Sequence, residues 1–254
     1  VLGAVFLFSF SYFFLREKIV LKDIPYFAVC GLFGVAINQL LFFNGLNLTT
    51  PINAAIVMTI NPILVIVFSF IILREPTSIK QVFGVIFGIV GATILILNSG
   101  NINFSTTSNI GNLFVLLNAT SYALYLVLVK PLMKKYHPFT VMFYVFGFGL
   151  LYVFPFGYTE LFSVDWSGIT NFVLFQIFFV VIFTTFIAYL CNAQALKYLK
   201  PTTVSVYIYL QPILATLFAM FWGSDFLDNQ KIISTLLIFT GVYLVSSGRI
   251  KPKP

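Results

Sequence analysis

Two amide–proline pairs, Asn61–Pro62 and Gln211–Pro212, each stand inside a long apolar run: "NPILVIVF" at 61–68 and "QPILATLF" at 211–218. An amide side chain offers two donors and an acceptor. A proline inside a helix removes one N–H and frees the carbonyl four residues back, here those of Met58 and Ile208. Buried among apolar side chains, such groups must face protein, water or a solute. The chemistry on offer is therefore neutral hydrogen bonding. Further residues of the same character lie in other apolar runs: Asn38 and Gln39; Tyr122 and Tyr125, close to Asn118; Thr185, Tyr189 and Asn192, spaced to share a helical face; and Tyr207, four before Gln211. We expect Asn38, Gln39, Asn61, Tyr122, Tyr125, Tyr189, Asn192, Tyr207 and Gln211 to line a solute cavity, with Pro62 and Pro212 as its hinges. The alternative at each position is packing: a proline that only kinks its helix, and an amide that bonds a neighbouring backbone.

Catalytic chemistry finds little material. The single histidine, His137, lies in a basic loop, which argues against histidine-based metal sites and Ser-His catalysis. Cys30 and Cys191 both fall in apolar runs and read as buried thiols, too far apart in sequence for a metal-binding spacing. No metal or other cofactor is expected, and no enzymatic activity.

The elements that hold these residues follow from composition. Of 254 residues, 60% are hydrophobic and 8% charged, with a mean hydropathy of +1.02. A water-soluble domain carries about 25% charged residues, so lipid is the expected solvent. Apolar runs of membrane-spanning length occupy 25–46, 52–73, 79–97, 110–129, 140–156, 169–196, 203–222 and 232–245, with a shorter one at 1–15. Their continuity predicts nine helices rather than barrel strands. Thirteen of the fourteen basic residues fall on alternate breaks between runs, Lys231 being the exception. By the positive-inside bias this places those breaks and the C-terminus in the cytoplasm. Scattered singly over short loops, these charges do not form a nucleic-acid surface.

The amide–proline match belongs to a longer one. At an offset of 150 residues, Leu46 pairs with Leu196, Pro51 with Pro201, Asn44 with Gln194, Phe68 with Phe218, Gly91 with Gly241 and Glu75 with Asp225. The second copy has five spans and the first shows four, so one helix before Val1 is expected to be missing. An odd number of spans per copy inverts the second copy relative to the first, an arrangement common in secondary transporters. Glycines at 84, 88 and 91, and at 31 and 34, predict close helix packing. No Asp, Glu, Lys or Arg lies deep in a span, which argues against a carboxylate proton relay.

The stretches "LNLTTPINAAIVMTINPILVIVFSFIILREPTS" at 46–78, "GVIFGIVGATIL" at 84–95 and "LKYLKPTTVSVYIYLQPILATLFAMFWGSD" at 196–225 resemble the drug/metabolite transporter superfamily, specifically its EamA-type members. The resemblance covers nearly the whole chain. It implies an all-α integral membrane fold of ten helices in two inverted five-helix repeats, here without the first helix. The Gly-Ser-Asp at 223–225 departs from the Gly-Glu more usual in the family. Expected organisation is a first repeat at 1–98, an extracytoplasmic linker at 99–109, a second repeat at 110–249 and a cytoplasmic tail at 250–254. The implied function is export or uptake of a small organic metabolite by alternating access, in a bacterial inner membrane. A nucleotide-sugar or sugar-phosphate exchanger is the alternative, and an intramembrane enzyme or scaffold the different class. Expected partners are the lipid bilayer and the small-molecule metabolite, without nucleic acid; a homodimer is left open.

Overall fold

A computed structural model describes residues 1–15, 17–98, 106–164, 168–221 and 228–247. Arg16, the greater part of the 99–109 linker, Asp165, Asp225 and the 250–254 tail lie outside the described residues. Every regular element among those described is helical. In chain order they are α1 (Leu2–Leu15), a short 3₁₀ turn (Leu21–Asp23), α2 (Ile24–Gly31), a π turn (Leu32–Ile37), α3 (Asn38–Leu48), α4 (Pro51–Met58), α5 (Asn61–Leu73), α6 (Ile79–Asn98), α7 (Thr106–Lys135), α8 (Pro138–Ser163), α9 (Asn171–Phe179), a second π turn (Val180–Ile187), α10 (Ala188–Tyr198), α11 (Pro201–Val206), a second 3₁₀ turn (Tyr207–Tyr209), α12 (Leu210–Phe221) and α13 (Asn229–Ser247).

Seven helical stretches among the described residues are long and apolar enough to cross a bilayer: Leu21–Leu48, Asn53–Leu73, Ile79–Leu97, Thr107–Lys135, Pro138–Thr159, Asn171–Tyr198 and Asn229–Ser247. Leu2–Leu15 is apolar but shorter, and the stretch 201–221 is built from three short pieces, α11, the 3₁₀ turn Tyr207–Tyr209 and α12. Many large apolar side chains face outward, among them Phe6, Phe70, Phe172, Phe221 and Tyr243. Such a surface suits hydrocarbon. The chain is a multi-pass integral membrane protein.

Local chemistry sets the helix ends. Pro51, Pro138 and Pro201 each occupy a first helical turn, where the missing N–H would have no partner in any case. Thr50 caps α4 by accepting the Asn53 N–H at 3.2 Å, and Thr170 caps α9 by accepting that of Val173 at 3.4 Å. Arg74 closes α5 in the left-handed region, φ 52°, a conformation that costs a non-glycine residue energy but ends the helix sharply before Pro76. One expected break narrows: Lys130 and Pro131 do not lie in a loop but inside α7, which continues to Lys135.

The chain divides into two compact units, each drawing on both halves of the sequence: 1–40 with 128–198, and 41–127 with 199–254. In the first, α8 packs against α1 and α2. A Cβ added to Gly31 would sit 2.7 Å from the Val145 carbonyl oxygen, so the two backbones nearly touch there. At one end of this unit Lys135 and the Tyr136 hydroxyl both donate to Asp23, and Glu17 accepts the His137 N–H at 2.9 Å. Those bonds tie the 17–23 connection to the α7–α8 corner.

The second unit is built on the seam between α6 and α13. Its core gathers Val85, Ala92 and Leu95 with Val206, Tyr209, Ile213, Ile238, Val242 and Val245. A Cβ on Gly84 would lie 2.7 Å from the Gly241 oxygen, and one on Gly241 would lie 2.5 Å from the Gly84 oxygen. At the other end of the seam a Cβ on Gly91 would lie 2.7 Å from the Ser234 oxygen. The glycine stripe is thus a packing seam, with small residues letting two backbones approach.

Candidate functional site

Both proline-bearing spans are broken, and at matching places. The first breaks at Thr59–Ile60, between α4 and α5; the second at the 3₁₀ turn Tyr207–Tyr209, between α11 and α12. At an offset of 150 residues Thr59 of the first falls on Tyr209 of the second. At the first break the Thr59 N–H goes to the Ile56 carbonyl at 3.1 Å and that of Ile60 to Val57 at 3.2 Å, so the turn tightens to a three-residue reach. In that geometry the donor that Pro62 lacks would have served Thr59. The Ile63 N–H goes to Ile60 at 3.0 Å, so it does not serve Thr59 either. The Tyr209 hydroxyl fills the gap, donating to the Thr59 carbonyl at 3.0 Å. The freed carbonyl answered by a side chain is therefore Thr59's, one residue on from the Met58 carbonyl that a regular α-helix predicts.

The two proline-linked amides stand in opposite surroundings. Asn61 is fully buried; its Nδ2 donates to the Ala119 carbonyl on α7 at 2.9 Å, and its Oδ1 has no partner among the described residues. Gln211 is exposed, and Tyr207, one turn earlier, is 47% exposed. Asn61 shares its unit with Asn118 and Tyr125, both buried, and with Tyr122, whose ring lies 6.1 Å from that of Tyr125. Pro62 is buried and Pro212 half-buried.

In the other unit the structure joins Tyr189 to Asn38. The Tyr189 hydroxyl donates to the Gly34 carbonyl at 3.2 Å, inside the first π turn, and lies 3.4 Å from Asn38 Oδ1. Its ring meets Phe146 edge-on at 4.9 Å. Gln39 and Asn192 are half-buried. Thr185 does not join them: with Thr184 it donates to the Val180 carbonyl of its own π turn, at 3.1 and 2.8 Å. Cys30 is buried as expected, but Cys191 is exposed, because α10 turns that face outward.

An open cavity of about 500 Å³ lies in the second unit beside the first break. Its walls are almost entirely apolar, with Ile56, Ile60, Ile63, Ile89 and Leu116 prominent and Thr59 and Asn112 the polar exceptions. Among the described residues no cluster of His, Cys, Asp and Glu could hold a metal ion.

The sequence matches the model of the EamA-like transporter family over residues 1–97 and 109–247. The chain belongs to the EamA-like transporter family. It is 28% identical over 239 residues to an uncharacterized transporter, YyaM, of Bacillus subtilis (strain 168), a match covering 93% of this chain and 77% of that protein. It is 26% identical over 236 residues to an uncharacterized transporter of Archaeoglobus fulgidus, covering 92% and 82%. A solved crystal structure shares the fold, with a TM-score of 0.76 at 19% identity over 96% of this chain and 85% of the other.

Three features of this EamA-like chain escape a reading of its sequence. Tyr209 looks like filler beside Gln211, yet it is fully buried and serves the other break; its offset of 150 from Thr59 is the signal that could have found it. Thr49, Asn53, Ser108 and Asn112 form a polar knot between α7 and the α3–α4 corner. Thr49 Oγ1 donates to Asn112 Oδ1 at 2.7 Å and meets Ser108 Oγ at 2.9 Å, while Asn53 Nδ2 donates to Ser108 Oγ at 2.9 Å. Lys130 is 6% exposed, and its ammonium donates to the Leu196 carbonyl near the end of α10. A cation suits that end of a helix.

Proposed function

We propose that this chain is a secondary transporter that moves a small organic metabolite by alternating access, built from two inverted copies of one helical repeat. The observation that carries the reading is the pair of matched breaks, each just before an amide–proline pair. A helix interrupted at mid-span offers polar backbone where a regular helix offers none, and such interruptions mark binding sites in transporters with inverted repeats.

Three further facts support the two-copy arrangement. The π turns at Leu32–Ile37 and Val180–Ile187 overlap at the same offset of 150. Gly84 meets Gly241 while Gly91 meets Ser234; exchanging the copies turns each contact into the other, as a two-fold axis between α6 and α13 requires. Thr59 meets Tyr209, its own counterpart at that offset. Gln211 and Tyr207 are exposed on a broken span, and an exposed amide at that depth is costly against hydrocarbon, which favours a face turned to water or solute. We place Asn38, Gln39, Asn61, Tyr122, Tyr125, Tyr189, Asn192, Tyr207 and Gln211 along the solute path and Pro62 and Pro212 at its hinges. The repeats run 1–98 and 110–249, and the C-terminus lies in the cytoplasm.

Uptake of a panel of radiolabelled amino acids, amines, nucleosides and sugars into proteoliposomes tests the function. Accumulation of at least one solute above protein-free vesicles is expected. Cysteines placed at Lys80 and Lys135 should escape an impermeant thiol reagent in intact cells, and cysteines at Asn101 and Asp165 should react. Reaction at Lys135 from outside overturns the orientation.

A further inference from the structure

We infer that Tyr209 is a positioning residue that latches the first break through its hydroxyl, and that the latch is one-sided. Three observations carry it. The Thr59 carbonyl loses both backbone donors: Pro62 has no N–H, and the Ile63 N–H is held by Ile60 at 3.0 Å. The Tyr209 hydroxyl replaces them at 3.0 Å from a fully buried ring, so water does not compete for the bond. The ring has a seat made for it: a Cβ at Gly88 would lie 2.2 and 2.3 Å from two of its carbons, a collision that only glycine avoids.

The asymmetry comes from the partner position. Thr59 occupies the place in the first copy that Tyr209 occupies in the second. Its hydroxyl donates to Ile56 of its own turn at 2.6 Å, so it does not return the bond. One break is thus held by a long phenolic donor from the other copy, and the second break receives no equivalent from residue 59. If the two copies exchange geometries during transport, this bond is made in one state and broken in the other. Tyr209 then sets which state the resting protein occupies. That consequence rests on the transport reading; the latch itself does not.

The test is spectroscopic and uses the full chain in lipid bilayers. Thr-Ile occurs twice in the sequence, at 59–60 and 93–94. Labelling threonine carbonyls with ¹³C and isoleucine nitrogens with ¹⁵N therefore gives two correlations in solid-state NMR, the second an internal reference. Tyr209→Phe should move the Thr59 carbonyl resonance upfield, as loss of a hydrogen bond does, and leave Thr93 in place. Gly88→Ala, which keeps the phenol but displaces its ring, should give the same shift. Movement of both resonances alike, or of neither, overturns the latch. A measurement on the unaltered protein stands if Tyr209→Phe does not fold: amide exchange at Ile60, Ile63 and Leu64 should be roughly fivefold slower than at 207–211, the factor one net hydrogen bond carries. Equal exchange overturns the latch as well. No solute is needed in either experiment. A failed shift would sink the latch and leave the transport reading, whereas absent uptake would do the reverse.

Discussion

Gly241→Ala should be a damaging single-methyl change in the second unit. Its new Cβ would lie 2.5 Å from the Gly84 oxygen and 2.7 Å from the Gly88 nitrogen, against about 3.4 Å for ordinary contact. The obstacles are backbone atoms in the middle of α6, so no side chain can swing away. Relief requires α6 and α13 to part by up to 0.9 Å (3.4 − 2.5). Overpacking of this kind costs about 1–3 kcal/mol, and dispersion contacts along the rest of the seam loosen with it. At about 2–4 °C per kcal/mol for a chain of this size, the melting temperature should fall by about 2–12 °C. The control is Gly147→Ala in α8, where nothing lies within 4 Å of the added carbon. That change should be neutral or gain about 0.5–1 kcal/mol from the lower backbone entropy of alanine. Thermal unfolding of both variants in the same detergent decides it. Equal melting temperatures would refute the close-packed seam, and with it the two-fold axis drawn through it.

Thr49→Val keeps the shape of the side chain but leaves Asn112 Oδ1 without the hydroxyl that bonds it; stability should drop by about 1–3 kcal/mol, read as a lower melting temperature. Asn53→Ala should cost a similar amount through the same knot, and the double variant should lose less than the sum, since both act on Ser108. Lys130→Ala removes a charged donor from the Leu196 carbonyl; a loss of about 1.5–3 kcal/mol is expected, and Lys130→Arg should recover part of it.

How much of this was legible beforehand depends on the scale of the feature. Lipid solubility and the apolar helical stretches follow from composition, because hydrophobicity acts locally and leaves a pattern. The breaks at Thr59 and Tyr207–Tyr209 were signalled by Pro62 and Pro212. The carbonyl that a side chain answers was not: a regular helix points to Met58, and it is the tightening of the turn to a three-residue reach that leaves Thr59 without a backbone donor. The π turns leave no mark in an apolar sequence, since widening a turn changes hydrogen bonding without changing which residues are apolar. Lys130 reads as the start of a basic loop, yet α7 continues past it and buries its stem while its head finds a helix end. Asn61 and Gln211 look equivalent in sequence and differ in surroundings, because burial belongs to neighbours that are distant along the chain.

The transport account is tested most directly by measuring solute affinity and melting temperature together on Asn61→Leu and Gln211→Leu, once uptake has identified a solute. Asn61→Leu gives up one bond to Ala119, about 1 kcal/mol, and removes a buried oxygen without a partner, which offsets it. Gln211→Leu alters an exposed side chain that carries little of the packing. Melting temperatures should therefore hold or rise, while solute affinity falls roughly 5–150-fold, the equivalent of about 1–3 kcal/mol. Lower melting temperatures with unchanged affinity would contradict the account: the amides would then be ties between helices, and the matched breaks would not form the solute site.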